Sequence, residues 1–266
     1  MLGALIGDIV GSRFEWHNHR DKDFRLFTEQ NRFTDDSVLT IAIGKAILEC
    51  RGNYEKLGER TVNAMLALGR KYPERGYGGK FRTWLSSDNP QPYNSCGNGA
   101  GMRVSPCAWA ATSEEEAKVL AKKVTEVTHN HPEGIKGAEA ITMATYFALH
   151  GRDKEFIGAY VKQHYYPDMN FTIDEIRPNY NFDATCQGSI PQAIEAFLEG
   201  QDFEDTIRTA ISLGGDSDTI GAMAGAIAQA YYGIPEKMKE KALAYLEEDL
   251  REIVAAWLKI YPERPR

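Results

Sequence analysis

The sequence predicts an all-α protein: a single-domain helical bundle of roughly ten or more helices over residues 1–266. Apolar residues recur at spacings of three and four in segment after segment, while the strict alternation of a half-buried strand is scarce. Several of these segments open on a capping residue or close on Gly-Pro punctuation. The run from Ser37 to Leu48 places Val38, Ile41, Ala42 and Leu48 on one stripe. Ser113, with Glu116 three residues later, reads as a capping box. It opens a run in which Val119, Leu120, Val124 and Val127 repeat at helical spacing. Further helices are expected from Ile135 to Leu149, Ala184 to Leu198, Phe203 to Leu213 and Thr219 to Tyr232. After the Gly233-Ile234-Pro235 stop, one long final helix is expected from Glu236 to about Lys259. Residues 16–33 and 72–95 lack a period and read as long loops, suited equally to surface connection or to a lid over a site.

Composition narrows the function classes. The formal net charge is −7, from 31 basic and 38 acidic residues. That balance argues against a broad electrostatic grip on nucleic acid or an anionic membrane, although a local basic cleft remains compatible with it. No uncharged apolar run approaches the ~18 residues of a membrane span. The opening MLGALIGDIVGSRFEW carries Asp8 and has no basic region, unlike a secretory signal. The four cysteines form no CxxC pair, so neither a zinc ribbon nor a disulfide scaffold is indicated. Reduced thiols in a cytoplasmic protein are the expectation.

The chemistry concentrates at two helix starts, Thr34-Asp35-Asp36-Ser37 and Gly214-Gly215-Asp216-Ser217-Asp218-Thr219. Each alone is an ordinary N-terminus, because Thr caps well and Asp opposes the helix dipole. Their coincidence carries more. If both starts face one point, four carboxylates and two hydroxyls converge there. Such packing is prohibitive without a counter-ion. Hard divalent cations take oxygen ligands, and two can be held together. The lack of His and Cys in both motifs favours Mg2+ or Mn2+ over zinc or copper.

Three glycines in Gly97-Asn98-Gly99-Ala100-Gly101, with a helix expected from about Ala100, suggest backbone N–H groups open to a phosphate. No apolar strand precedes them, so this is not a dinucleotide fingerprint, and Gly79-Lys80 lacks the rest of a Walker loop. In Thr128-His129-Asn130-His131-Pro132, the proline starts a helix. Two histidines at this spacing could bind a metal; the favoured readings are that one touches a ligand or is hydrogen-bonded at the junction. Gly3, Gly7 and Gly11 make a smooth face, as do Gly221, Ala222, Gly225 and Ala226, so these helices should approach each other or a neighbour closely. Asp8, set in that apolar context, needs a partner and reads as a capping or hydrogen-bonding group. Glu15 lies where this first helix meets the 16–33 loop.

Taken in order, GALIGDIVGSRFE, TDDS, GNGAGMR, THNHP and GGDSDTIGAMAGAIA resemble the ADP-ribosylglycohydrolase family over nearly the whole chain. The resemblance implies an all-α orthogonal bundle, a dinuclear metal centre, and hydrolysis at the anomeric carbon of the distal ribose of ADP-ribose. It makes Thr34, Asp35, Asp36, Asp216, Asp218 and Thr219 the ligands of two Mg2+ ions, with Mn2+ as the alternative. Glu15 corresponds to an acid on a flap near the metals, and Glu15 or Asp36 handles the proton traffic. Ser95, Gly97, Asn98 and Gly99 correspond to a loop that holds the diphosphate and distal ribose, and His129 to a ribose or phosphate contact. The implied substrate is an ADP-ribosylated protein or an ADP-ribose-containing small molecule. Some arginine-directed members carry an acid three residues before the motif asparagine. Here that place is Ser95, as in members acting on serine-linked or O-acetyl-ADP-ribose. A non-catalytic ADP-ribose-binding module and another two-metal hydrolase, such as a phosphoesterase, are the competing readings. The intact acids speak against the first.

Overall fold

The structure, a computed structural model, describes residues 1–262. Its helices are α1 (Leu2–Gly11), α2 (Asp35–Cys50), α3 (Leu57–Lys71), α4 (Gly79–Ser86), α5 (Gly99–Met102), α6 (Ser105–Ala110), α7 (Glu114–Thr125) and α8 (Pro132–Leu149). There follow α9 (Lys154–His164), α10 (Ile173–Ile176), α11 (Cys186–Glu199), α12 (Phe203–Ser212), α13 (Ser217–Tyr232), α14 (Glu236–Leu243) and α15 (Glu248–Ile260). The fold is all-α, and the described residues hold no β-sheet, only an isolated antiparallel bridge between Gly97 and Thr185.

Helices α1 and α13 form the centre. Every residue of α1 is buried, as is α13 from Ser217 to Ala230. A helix enclosed on all sides is apolar nearly all round, as α1 is apart from Asp8 and α13 is apart from the polar residues of its first turn and Gln229. The small-residue faces meet backbone to backbone. A Cβ on Gly7 would lie 2.0 Å from the carbonyl oxygen of Gly221, and one on Gly3 would lie 2.2 Å from that of Gly225. The Gly3 N–H, one of the amides left open at a helix start, donates to Gln229 Oε1 at 2.7 Å. Because Gly11 abuts Asp218 in the same way, the end of α1 is held against the start of α13.

Three expectations change on contact with the structure, and a fourth, the 16–33 loop, holds. The final helix is interrupted between Leu243 and Glu248. Glu247, Glu248 and Asp249 cluster there, and acids at that density favour a fresh N-terminus, where they oppose the dipole, over a helix interior. The 72–95 stretch contains α4, whose Phe81, Trp84 and Leu85 are buried at helical spacing behind a Gly-Gly start that hides them. Only half of the capping box closes. Ser113 Oγ accepts from the Glu116 N–H, but the Glu116 carboxylate turns to the backbone and hydroxyl of Thr112, and Val119 faces solvent. The 16–33 stretch is pinned for most of its length. Arg20 donates to the carbonyls of Arg177, Tyr180 and Leu213, Arg208 to those of Lys22 and Phe24, and Asn31 to that of Ile9.

All four cysteines are free thiols. Among the described residues, no helix is long and apolar enough to cross a membrane.

Candidate active site

The two acidic helix starts converge. Thr34 caps α2, its Oγ1 accepting from the Asp36 N–H, and Asp8 of α1 completes the cap from outside. Asp8 accepts from Thr34 N–H at 2.9 Å, Thr34 Oγ1 at 2.6 Å, Ser37 N–H at 3.0 Å, and Ser37 Oγ. This is the partner that the sequence required. The α13 start is shaped by Gly214 and Gly215, at φ +77° and +69°, a left-handed backbone that other residues adopt only under strain. A side chain at Gly215 would also strike Tyr180, and its N–H donates to Asn18 Oδ1 at 2.8 Å.

Between the two starts, Thr219 Oγ1 donates to Asp36 Oδ2 at 3.1 Å. Asn98 Nδ2 donates to Asp216 Oδ2 at 2.7 Å, which brings the glycine motif to the same point. Oxygen atoms of Asp8, Asp36 and Asp218 lie within 4.8 Å of one another, as do those of Glu15, Asp216 and Asp218. Asp218 belongs to both groups. Asp35 lines the same cavity, while the Thr34 hydroxyl is committed to Asp8.

The electrostatics are those of crowded, buried acids. Burial, aided by neighbouring carboxylates, pushes Asp35, Asp36 and Asp218 well above the ordinary carboxylate range. Burial also raises Asp8 and Asp216. Glu15 rises to about 7, through burial first and the charge of Asp216 second. Asp36 Oδ1 is buried and has no hydrogen-bond partner. An orphaned buried carboxylate oxygen among crowded acids fits a hard divalent cation, whose charge would remove the penalty and whose ligands are oxygens.

The cavity holds about 410 Å³. Besides the acids it is lined by Ser95, Gly97, Asn98, Gly99 and His129, all expected from sequence, and by Trp16, Gly76 and Phe182, which were not singled out. Trp16 and Phe182 are both exposed and stack across the mouth at 5.0 Å. The open backbone cradle expected at Gly97–Gly101 is corrected. Gly97 N–H is bonded to Ser95 Oγ, Asn98 N–H to Ala184 O, Ala100 N–H to Gly97 O, and Gly101 N–H to Asn98 O. Three of these donors are consumed in the loop's own turn, and the Asn98 N–H ties the loop to the segment before α11. What the glycines leave at the wall is space, because a Cβ on Gly99 would press on His129 Nε2 at 3.2 Å. The two histidines divide their roles. His131 caps α8, its Nδ1 accepting from the Glu133 N–H, and His129 faces the cavity.

The frame is an all-α bundle in which two carboxylate-bearing helix starts converge in one cleft. The ADP-ribosylglycohydrolase family profile matches residues 1–265, and the chain belongs to that family of enzymes. Its sequence is 26% identical over 329 residues to ADP-ribosylhydrolase ARH3 of Homo sapiens, covering 94% of this chain and 90% of the relative. It is also 26% identical over 290 residues to the ADP-ribosyl-[dinitrogen reductase] glycohydrolase of Rhodospirillum rubrum, covering 97% and 94%. A solved ADP-ribosylglycohydrolase-related protein complex has the same fold, with a TM-score of 0.73 at 24% identity over 98% of this chain and 96% of that one.

Proposed function

We propose that residues 1–266 act as one domain, a metal-dependent ADP-ribosylhydrolase that cleaves an N- or O-linked bond at the distal ribose of ADP-ribose and releases ADP-ribose. The observation that carries this is the pair of carboxylate groups sharing Asp218, facing a cavity walled by the glycine motif and His129. Asp8, Glu15, Asp36, Asp216 and Asp218 supply the grouped oxygens, with Asp35, Thr34 and Thr219 beside them. Two Mg2+ ions, or Mn2+, suit this all-oxygen set and would serve there to orient ribose hydroxyls and polarise a water. The free thiols fit a cytoplasmic setting.

The chain's own residues supply the rest. Glycoside cleavage passes through an oxocarbenium-like state, and carboxylates facing the anomeric carbon stabilise it. A carboxyl held near 7, as at Glu15, gives and takes a proton at neutral pH with little penalty in either direction. Asp36 is the second candidate for that role. Ser95 Oγ accepts from the Gly97 N–H at 3.1 Å and so buttresses the loop; no base stands there. That favours an O-linked acceptor, serine or acetyl, over a strict arginine linkage.

The test is incubation with a mono-ADP-ribosylated protein and with O-acetyl-ADP-ribose, each with and without EDTA. Free ADP-ribose released only with metal is the expected result. Binding without turnover would establish an ADP-ribose reader instead, and AMP release would establish diphosphate cleavage. Asp36→Asn is expected to lower kcat at least roughly 100-fold, within the range for losing a positioned acid or ligand. An unchanged rate removes Asp36 from the mechanism.

A further inference from the structure

We propose that a buried Arg103–Thr128 pair fixes the His129 ring so that its Nε2–H is presented to the ligand as a hydrogen-bond donor. Arg103 is fully buried, as is Thr128. A guanidinium in that position can only donate. Its Nη2 lies 2.5 Å from Thr128 Oγ1, so the threonine oxygen accepts there. The hydroxyl proton then has two possible acceptors, His129 Nδ1 at 2.8 Å and the Thr125 carbonyl at 3.5 Å. The shorter contact places it on Nδ1. A second approach from the same Arg103 nitrogen, at 3.4 Å, brings another donor to Nδ1. With Nδ1 accepting, the neutral ring carries its proton on Nε2.

The surroundings oppose a doubly protonated ring. His129 is buried, and burial together with the Arg103 charge holds its imidazole well below the usual range. Arg103 itself is lowered only to about 10 and stays charged at neutral pH. The Tyr93 ring lies 5.9 Å from the imidazole, centroid to centroid. Nε2 faces the glycine motif and the cavity, and it makes no hydrogen bond to protein among the described residues. A neutral donor of fixed tautomer suits an acceptor oxygen of a ribose or phosphate. Arg103 and Thr128 are therefore positioning residues acting through His129. The identity of that acceptor rests on the ADP-ribose reading of the cavity; the tautomer does not.

The experiment is long-range 1H–15N correlation spectroscopy on the full chain with 15N-labelled histidine, His129 being identified by its loss in His129→Gln. Wild type is expected to show an unprotonated Nδ1 and a protonated Nε2 from about pH 6 to about pH 8. An Nδ1–H tautomer or an imidazolium in that range overturns the proposal. Thr128→Val removes the hydroxyl at nearly constant volume, and Thr128→Ser keeps it. ADP-ribose affinity, measured by calorimetry with Mg2+ present, should fall about fivefold or more in Val and recover in Ser. A Val variant with wild-type affinity and spectrum refutes the positioning role. If wild type binds no ADP-ribose, the reading of the cavity fails, while the wild-type spectrum still decides the tautomer.

Discussion

Replacing Gly7 by alanine tests the geometry on which the site depends. The added Cβ would stand 2.0 Å from Gly221 O, 2.2 Å from Gly221 C and 2.6 Å from Ala222 N. Real Cβ contacts essentially never fall below 3.0 Å, and all three atoms are backbone, so no side chain can yield. Helices α1 and α13 must part by about 1 Å. Overpacking typically costs about 1–3 kcal/mol, and a rigid backbone contact belongs at the upper end. At about 2–4 °C per kcal/mol, a cost near 3 kcal/mol lowers Tm by about 6–12 °C. A displacement of that size is also about five times the ~0.2 Å tolerance of a metal–ligand distance. Under the proposed function Mg2+ stabilises wild type, and that added stability should shrink or vanish in the variant. Thermal denaturation in EDTA and in excess Mg2+ reads both effects. Gly78→Ala is the control, because a Cβ there meets nothing within 4 Å and φ is an ordinary −60°. A Gly7→Ala protein with wild-type Tm and wild-type Mg2+ response would refute the backbone contact between the two helices.

Three further outcomes are expected. Glu15 titrates near 7 in the folded chain against 4.5 in its reference state, and the neighbouring aspartates are raised in the same sense. The folded form therefore holds more protons than the unfolded one, so in EDTA stability is greatest below about pH 4.5 as far as these groups are concerned and declines as pH rises through 7. Mg2+ should flatten that decline, and a Tm in EDTA that climbs between about pH 5 and 8 contradicts the assignment. Gly99→Val should weaken ADP-ribose binding roughly tenfold or more while moving Tm by no more than about 2 °C, because the new side chain presses on His129 at the cavity wall; equal calorimetric affinity counts against the loop's role. Trp16 is the exposed one of four tryptophans, so ADP-ribose should change the emission of wild type and leave that of Trp16→Phe nearly constant. An equal response in both places the ligand away from the Trp16–Phe182 stack.

The sequence exposed most of the site because its signals are local. A threonine cap followed by two aspartates is legible at Thr34 and again, after Gly-Gly, at Asp216 and Asp218, and all-α periodicity is legible wherever a stripe of valine, leucine and isoleucine repeats. The small-residue faces of α1 and α13 also announced a close approach. What stayed hidden depends on distant partners. Nothing around Asp8 shows that its carboxylate caps a helix starting 27 residues later while sitting beside Asp36 and Asp218. The glycine motif looked like a row of free donors because the sequence shows neither the turn in which Ser95 Oγ, Gly97 O and Asn98 O accept nor the distant Ala184 O that takes the Asn98 N–H. Helix α4 was masked by glycines chosen for the cavity rim, and the gap before α15 by an apolar spacing that runs through it unbroken from Met238 to Leu250.

The pairing of α1 with α13 also has a meaning for the life of the chain. The first carboxylate of the cluster leaves the ribosome at position 8 and the last at position 218, so the growing polypeptide carries half a pocket through most of its synthesis. Until α13 docks, the glycine face of α1 has no surface to close upon. Under the proposed function, capture of a cation by the grouped carboxylates would therefore come late, once both ends have found each other.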